Sequence, residues 1–119
     1  MLLVDTSVWI DHLRTGSPTL AEHLTHGNVL GHPWVTGELA LGNLAQREAI
    51  LGLLASLPQA ITATPEEILT LIETHAFNGV GIGYVDTQLI ASARLTADAT
   101  LWTLDKRLAK VAHGLGIAV

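Results

Sequence analysis

Three short apolar runs constrain this chain most: Leu2-Leu-Val4, Val29-Leu30, and residues 100–104 (Thr-Leu-Trp-Thr-Leu). Each leads within a few residues into a segment whose apolar side chains recur at helical spacing. Strands that alternate with helices build βαβ units, so the pattern predicts an α/β fold, a three-layer α/β/α sandwich around a mostly parallel sheet. The first run is the sharpest. It stops on Asp5, and Thr6 and Ser7 then open a helix carrying Val8, Trp9 and Leu13. A carboxylate at the C-terminal end of a buried parallel strand stands where open α/β sheets bind their ligands.

The remaining elements follow from their punctuation. Ser17-Pro18 begins a helix through Leu24 that Gly27-Asn28 ends. Helices are expected over 34–41 and from Gly42-Asn43 to Leu57, where Pro58 closes the hairpin. Residues 60–63, with β-branched Ile61 and Thr62, read as an edge strand. Thr64-Pro65-Glu66-Glu67 combines a cap, a first-position proline and acids in the first turn, a strong helix start. A glycine-rich loop spans 79–83, a helix 85–97, and the last helix runs from Asp105 to Gly114 before a short strand over 117–119. The chain of 119 residues shows no linker or repeat, so 1–119 reads as a single domain with one core.

Hydrophobic residues make up 49% of the chain and charged ones 14%, which leaves apolar surface for a partner and predicts a homodimer. No run of eighteen apolar residues is present, and the N-terminus lacks the basic-then-apolar pattern of a signal peptide. The absence of cysteine excludes disulfides and thiolate metal sites, and a cytoplasmic setting is the plain reading. A net charge of −5 argues against a broad nucleic-acid-binding surface. It does not exclude a nuclease, because acids clustered round a cation supply negative charge of their own.

Four acids draw attention, each with a bland reading. Asp105, between a strand and a helix, is first of all an N-cap. Asp86 sits in a first helical turn, where the macrodipole favours any acid. Asp5 can cap alongside Thr6 and Ser7, and most helical glutamates, Glu38 included, are solvated. Position shifts the balance. Glu38 shares a helix side with Trp34, Val35 and Leu41, and Asp86 aligns with Leu89, Ile90, Ala93 and Ala97. An acid pointing inward needs a partner, and no Lys or Arg lies within four residues of either. With Asp5 and Asp105 at strand ends, all four are expected to meet in one pocket. Two carboxylates about 4 Å apart repel by roughly 4 kcal/mol at an effective dielectric near 20. Four together hold protons or cations, and hard oxygen ligands suit Mg²⁺ or Mn²⁺. Metal-assisted phosphodiester hydrolysis, with a metal-activated water as the nucleophile, is the natural chemistry of such a site.

The order Val4-Asp5-Thr6-Ser7-Val8, then Glu38-Leu39, then Asp86 to Ala93, then Leu101-Trp-Thr-Leu-Asp-Lys-Arg-Leu108 resembles the PIN domain family, and more narrowly the VapC-type toxins of bacterial toxin–antitoxin pairs. The resemblance implies a Mg²⁺- or Mn²⁺-dependent endoribonuclease with Asp5, Glu38, Asp86 and Asp105 as its catalytic and metal-holding acids. It further implies a homodimer and a small antitoxin that blocks the site. Thr6 and Thr103 fall where the family places hydroxyls beside the acids, a role that orients ligands. The Leu89-Ile90-Ala91-Ser92-Ala93 run departs from the family's more usual Ala-Ala-Thr-Ala. Asp98 is an extra acid, expected at the far end of the last long strand from Asp105.

Other residues carry weaker signals. The six histidines show no zinc-ligand spacing. Lys106, Arg107 and Lys110 are candidate contacts to RNA phosphates or else the solvated face of the last helix. Arg14 and Arg47 read as surface residues. Trp9, Trp34 and Trp102 read as core or dimer-interface residues ahead of base-stacking platforms. Ser7 has no histidine and acid at a nucleophile's spacing. Among alternatives, a phosphoacceptor signalling domain requires an aspartate ending a mid-chain strand, which neither Val29-Leu30 nor Ile61-Thr62 supplies. A haloacid-dehalogenase-type phosphatase wants an acid where Ser7 stands. A PIN-like module kept only for binding is the remaining alternative, and the intact acidic quartet speaks against it.

Overall fold

The computed structural model describes residues 1–119. Three parallel strands, β1 (Leu2–Val4), β2 (Val29–Leu30) and β3 (Thr100–Trp102), form a sheet in the order β2-β1-β3. Seven helices flank it: α1 (Thr6–Thr15), α2 (Pro18–Thr25), α3 (Pro33–Ala40), α4 (Arg47–Ser56), α5 (Pro65–His75), α6 (Tyr84–Leu95) and α7 (Lys106–Gly114). The α/β/α sandwich expected from the alternation is the fold of this chain.

The central strand is β1, with Leu2 opposite Val29 and Thr100, and Val4 opposite Trp102. This register aligns the C-terminal ends of β1 and β3, so Asp5 emerges beside the chain that leads to Asp105. Leu3, Val4, Val8, Trp9, Leu20 and Leu101 fill the core around the sheet. Burial of such side chains contributes about 1.5–3 kcal/mol each. Trp9 belongs to that core and Trp102 packs against it, but Trp34 is 43% exposed and meets Tyr84 edge-on at the surface.

Neither the edge strand expected over 60–63 nor the short strand expected over 117–119 forms, and a single bridge stands in or beside each. Residues 60–63 form no strand; instead Gly31 pairs with Gln59, held by Gly31 N–H to the Pro58 carbonyl and Ala60 N–H to the Gly31 carbonyl. The ladder cannot continue because His32 already caps α3 and Pro33 turns the chain away. Residues 117–119 likewise pair only at Ala118, opposite Leu101. The helix expected from Gly42-Asn43 begins later, at Arg47, after Gln46 adopts a left-handed conformation. Arg47 reaches back to the Ala40 and Gly42 carbonyls, satisfying the C-terminal end of α3 with its guanidinium.

The longest helix, α6, is buried continuously from Thr87 to Ala93 and packs against α3, α5 and β3. It ends at Leu95 rather than at Ala97, since Thr96 is extended and its hydroxyl accepts from Ile61 N–H. Asp98, in a left-handed turn before β3, accepts from the N-terminal amine through its carbonyl, at the opposite end of β3 from Asp105.

Candidate functional site

Asp5 is fixed by the sheet before its side chain does anything. Its N–H donates to the Trp102 carbonyl at 2.9 Å. It stands at the N-cap of α1, yet its carboxylate accepts from no backbone N–H of that helix. Oδ2 instead accepts from Ser7 Oγ and Thr103 Oγ1, each at 2.7 Å. Ser7 Oγ accepts in turn from Leu104 N–H, and Thr103 Oγ1 from Asp105 N–H, both at 3.0 Å. Two hydroxyls therefore hold the carboxylate and join the ends of β1 and β3. The capping explanation fails for Asp5.

It holds for Asp105, whose Oδ1 accepts from Arg107 and Leu108 N–H at 2.9 and 3.0 Å. Asp86, in the first turn of α6, accepts from Gly83 N–H through Oδ2 at 2.9 Å. Glu38 accepts from Thr6 Oγ1 through Oε1 at 2.6 Å. Each of the four carboxylates thus commits one oxygen to protein donors and keeps the other free of protein hydrogen bonds. Glu38 and Asp105 are exposed, and the free oxygens of Asp5 and Asp86 are not sealed in the interior, where the one unpartnered side-chain polar atom is Gln88 Oε1.

The four also act on one another. Burial raises the Asp86 pKa above the ordinary carboxylate value, the Gly83 hydrogen bond opposes this, and repulsion from Asp5, Asp105 and Glu38 adds to it. Asp86 is therefore within electrostatic range of the other three, although the four differ in exposure. Asp5 is buried at 6%, Asp86 is half-buried over Leu89, Ile90 and Ala93, and Asp105 is exposed. Glu38 departs from its expected inward placement. Helix α3 buries Val35 and Leu39, while Trp34 and Leu41 stay at the surface and Glu38 is exposed with them. The Thr6 hydroxyl, rather than burial, keeps its carboxylate beside the others.

As the side chains stand, no three acidic or imidazole groups converge closely enough to ligate one ion. The hydrogen bonds to Thr6, Gly83 and the first turn of α7 explain why, since each turns a carboxylate toward its own donor. The donor type fits a hard divalent cation: four free carboxylate oxygens, three of whose owners repel Asp86, with no thiol among them. The one buried imidazole is engaged elsewhere, as His32 bonds Ser92 and caps α3.

The hydroxyls placed by resemblance, Thr6 and Thr103, both contact an acid. Ser7 does so as well and was not singled out by its spacing. Its signal was an Asp-x-Ser at a strand-to-helix junction, where a short hydroxyl side chain folds back on its neighbour. Of the three candidate cations, Arg107 and Lys110 line one groove and Lys106 does not.

The PIN domain model matches residues 2–114 of this chain. The chain belongs to the PIN domain family. Over 119 residues this PIN domain is 44% identical to Ribonuclease VapC32 of Mycobacterium tuberculosis, in the CDC 1551 / Oshkosh strain and in the ATCC 25618 / H37Rv strain. Each alignment covers 100% of this chain and 96% of the relative. No solved structure matches. The likeness to VapC-type proteins read from four short motifs therefore extends across the whole PIN domain.

Proposed function

We propose that this PIN domain is the endoribonuclease toxin of a type II toxin–antitoxin pair, acting on RNA in the cytoplasm, with Asp5, Glu38, Asp86 and Asp105 holding one or two Mg²⁺ or Mn²⁺ ions. The observation that carries the reading is that each of these acids keeps one carboxylate oxygen free, on a patch where Asp5, Glu38 and Asp105 all repel Asp86. The name of the relatives, a ribonuclease, supports the choice of RNA. Bound divalent ions supply positive charge to the phosphodiester oxygens and lower the pKa of a water beside them.

The protein's own groups have separate tasks. Ser7 and Thr103 hold Oδ2 of Asp5, which leaves Oδ1 for a ligand and fixes its direction. Thr6 holds Glu38 and Gly83 holds Asp86, so the mobile acids begin near their working positions. The partners of this reading are RNA, a small antitoxin that covers the acids, and a second copy of the chain.

The test is cleavage by the Asp5→Asn and Asp86→Asn variants. Each is expected to lose at least about a hundredfold in rate while its circular dichroism matches the parent. EDTA is expected to stop the wild-type protein and Mn²⁺ to restore it. Full activity in either variant, or activity that survives the chelator, would defeat the assignment.

A further inference from the structure

The chain has six Lys and Arg side chains against eleven acids, and their placement is uneven. Arg47 is committed to the carbonyls at the end of α3, and Arg94 to His75. Three of the other four follow Asp105 within five residues. Arg107 and Lys110 are three apart on α7, hence on one helical face, whereas Lys106 points about 100° away from Arg107.

That face borders a groove of about 560 Å³ between α7 and the segment that follows α5. Phe77, Val80 and Leu115 give it an apolar lining, and His75 stacks on Phe77 with centroids 5.5 Å apart. Arg107 and Lys110, both exposed, are its cations. The groove also has a defined start. Gly81 has φ +86°, and a Cβ built on it would meet Arg107 Nη1 at 2.7 Å and Cδ at 2.9 Å. The arginine therefore lies directly across the loop backbone, which a side chain at 81 would prevent. Two residues on, Gly83 N–H holds Asp86, so Arg107 links the acid patch to the groove. Lys110 lies about 7.5 Å further along the axis of α7 than Asp105.

From this geometry we infer that the groove carries the single-stranded RNA flank on one side of the scissile phosphate, with Arg107 and then Lys110 meeting successive phosphates and the apolar lining facing the bases. The inference rests on the ribonuclease reading above and adds the strand's path to it. Cations at the edge of an acidic patch offset the repulsion that a polyanion meets there, so they act on binding and leave the chemical step alone. Charge complementarity selects the occupant, for these are the only two cations the groove presents.

The test uses a fluorescein-labelled, mixed-sequence twelve-nucleotide RNA with the wild type, Arg107→Gln, Lys110→Gln, and Arg14→Gln. Arg14 lines a different cleft, which Glu38 also borders, so its loss changes net charge equally and tests whether a cation beside the acids but outside the groove matters as much. Fluorescence anisotropy is expected to show about fivefold weaker binding for each groove variant, and a salt slope smaller by roughly 0.7. In cleavage, KM is expected to rise in proportion while kcat stays within about twofold. Equal losses in Arg14→Gln, or unchanged affinity and slope in both groove variants while the wild type still cleaves, would overturn the path and leave the ribonuclease reading intact. A wild type that neither binds nor cleaves the RNA would overturn both. If the groove variants lose binding of a polyglutamate peptide but not of RNA, the groove belongs to an acidic protein segment and the inference falls.

Discussion

His32 shows how much a single buried polar side chain can decide. It is 1% exposed, accepts from Trp34 N–H through Nδ1 at 3.1 Å, and meets Ser92 Oγ through Nε2 at 2.8 Å. A backbone N–H can only donate, so Nδ1 is the acceptor and Nε2 carries the proton toward the serine. Burial pushes the His32 pKa down to about 4 from 6.5. Between those values the unfolded chain binds more protons than the folded one. The contribution of His32 to stability is therefore complete above pH 6.5 and lost as pH falls toward 4, with a span of about 3 kcal/mol at most. Urea denaturation is expected to show the wild type losing about 2 kcal/mol more than His32→Gln between pH 7 and pH 4.5. Asp86, whose raised pKa acts in the opposite sense, is common to both proteins and cancels in the comparison. An identical loss in the two would refute the argument.

At the scale of elements, α6 is the piece that positions Asp86, and its stability comes from its neighbours. All of its residues from Thr87 to Ala93 are buried, so it forms only when α3, α5 and β3 cover it. Helix α5 has the strongest local start in the chain. Thr64 Oγ1 accepts from Glu67 N–H at 3.2 Å, and Glu67 Oε1 accepts from Thr64 N–H at 2.9 Å, a reciprocal cap with Pro65 at the first position. Thr64→Ala is expected to cost about 1 kcal/mol of unfolding free energy. Activity at saturating substrate should be unaffected, because the cap sets how often α5 frays and not where Asp86 stands. A large fall in kcat with unchanged stability would show instead that the two helices are coupled directly to the site.

For the whole molecule, the distribution of exposed apolar groups matters more than their number. Trp34, Leu41 and Tyr84 are 43%, 91% and 45% exposed, and Trp34 and Leu41 border a shallow groove of about 510 Å³ that Glu38 also lines. A contiguous apolar face beside polar side chains is what an association surface looks like. No helix of the chain is long and apolar enough to cross a membrane, so this face is not part of a helical span. Sedimentation at micromolar concentration is expected to give roughly twice the mass of the 12.6 kDa chain, and Leu41→Glu to return it to a monomer. A monomeric wild type would refute the dimer expected from the composition.

Local chemistry made much of this protein legible without coordinates. The run Leu2-Leu-Val4 ending on Asp5, the cap at Thr64 and the alternation of three of the strands with helices are written in neighbouring residues and appear as expected, while the strands read over 60–63 and 117–119 do not form. Interactions that link distant segments were not legible. The strand expected over 60–63 failed because Pro33 removes its partner, and Glu38 is exposed because α3 buries Val35 and Leu39 instead, leaving Thr6, on another helix, to hold its carboxylate. Ser7 gained its role only when β3 brought Leu104 and Thr103 alongside β1. Periodicity tells a residue which side of its own helix it occupies, but the direction and company of a carboxylate depend on which other elements pack around it. The sequence therefore determined which acids this chain possesses and which elements carry them, and tertiary packing decided which oxygen of each was left free.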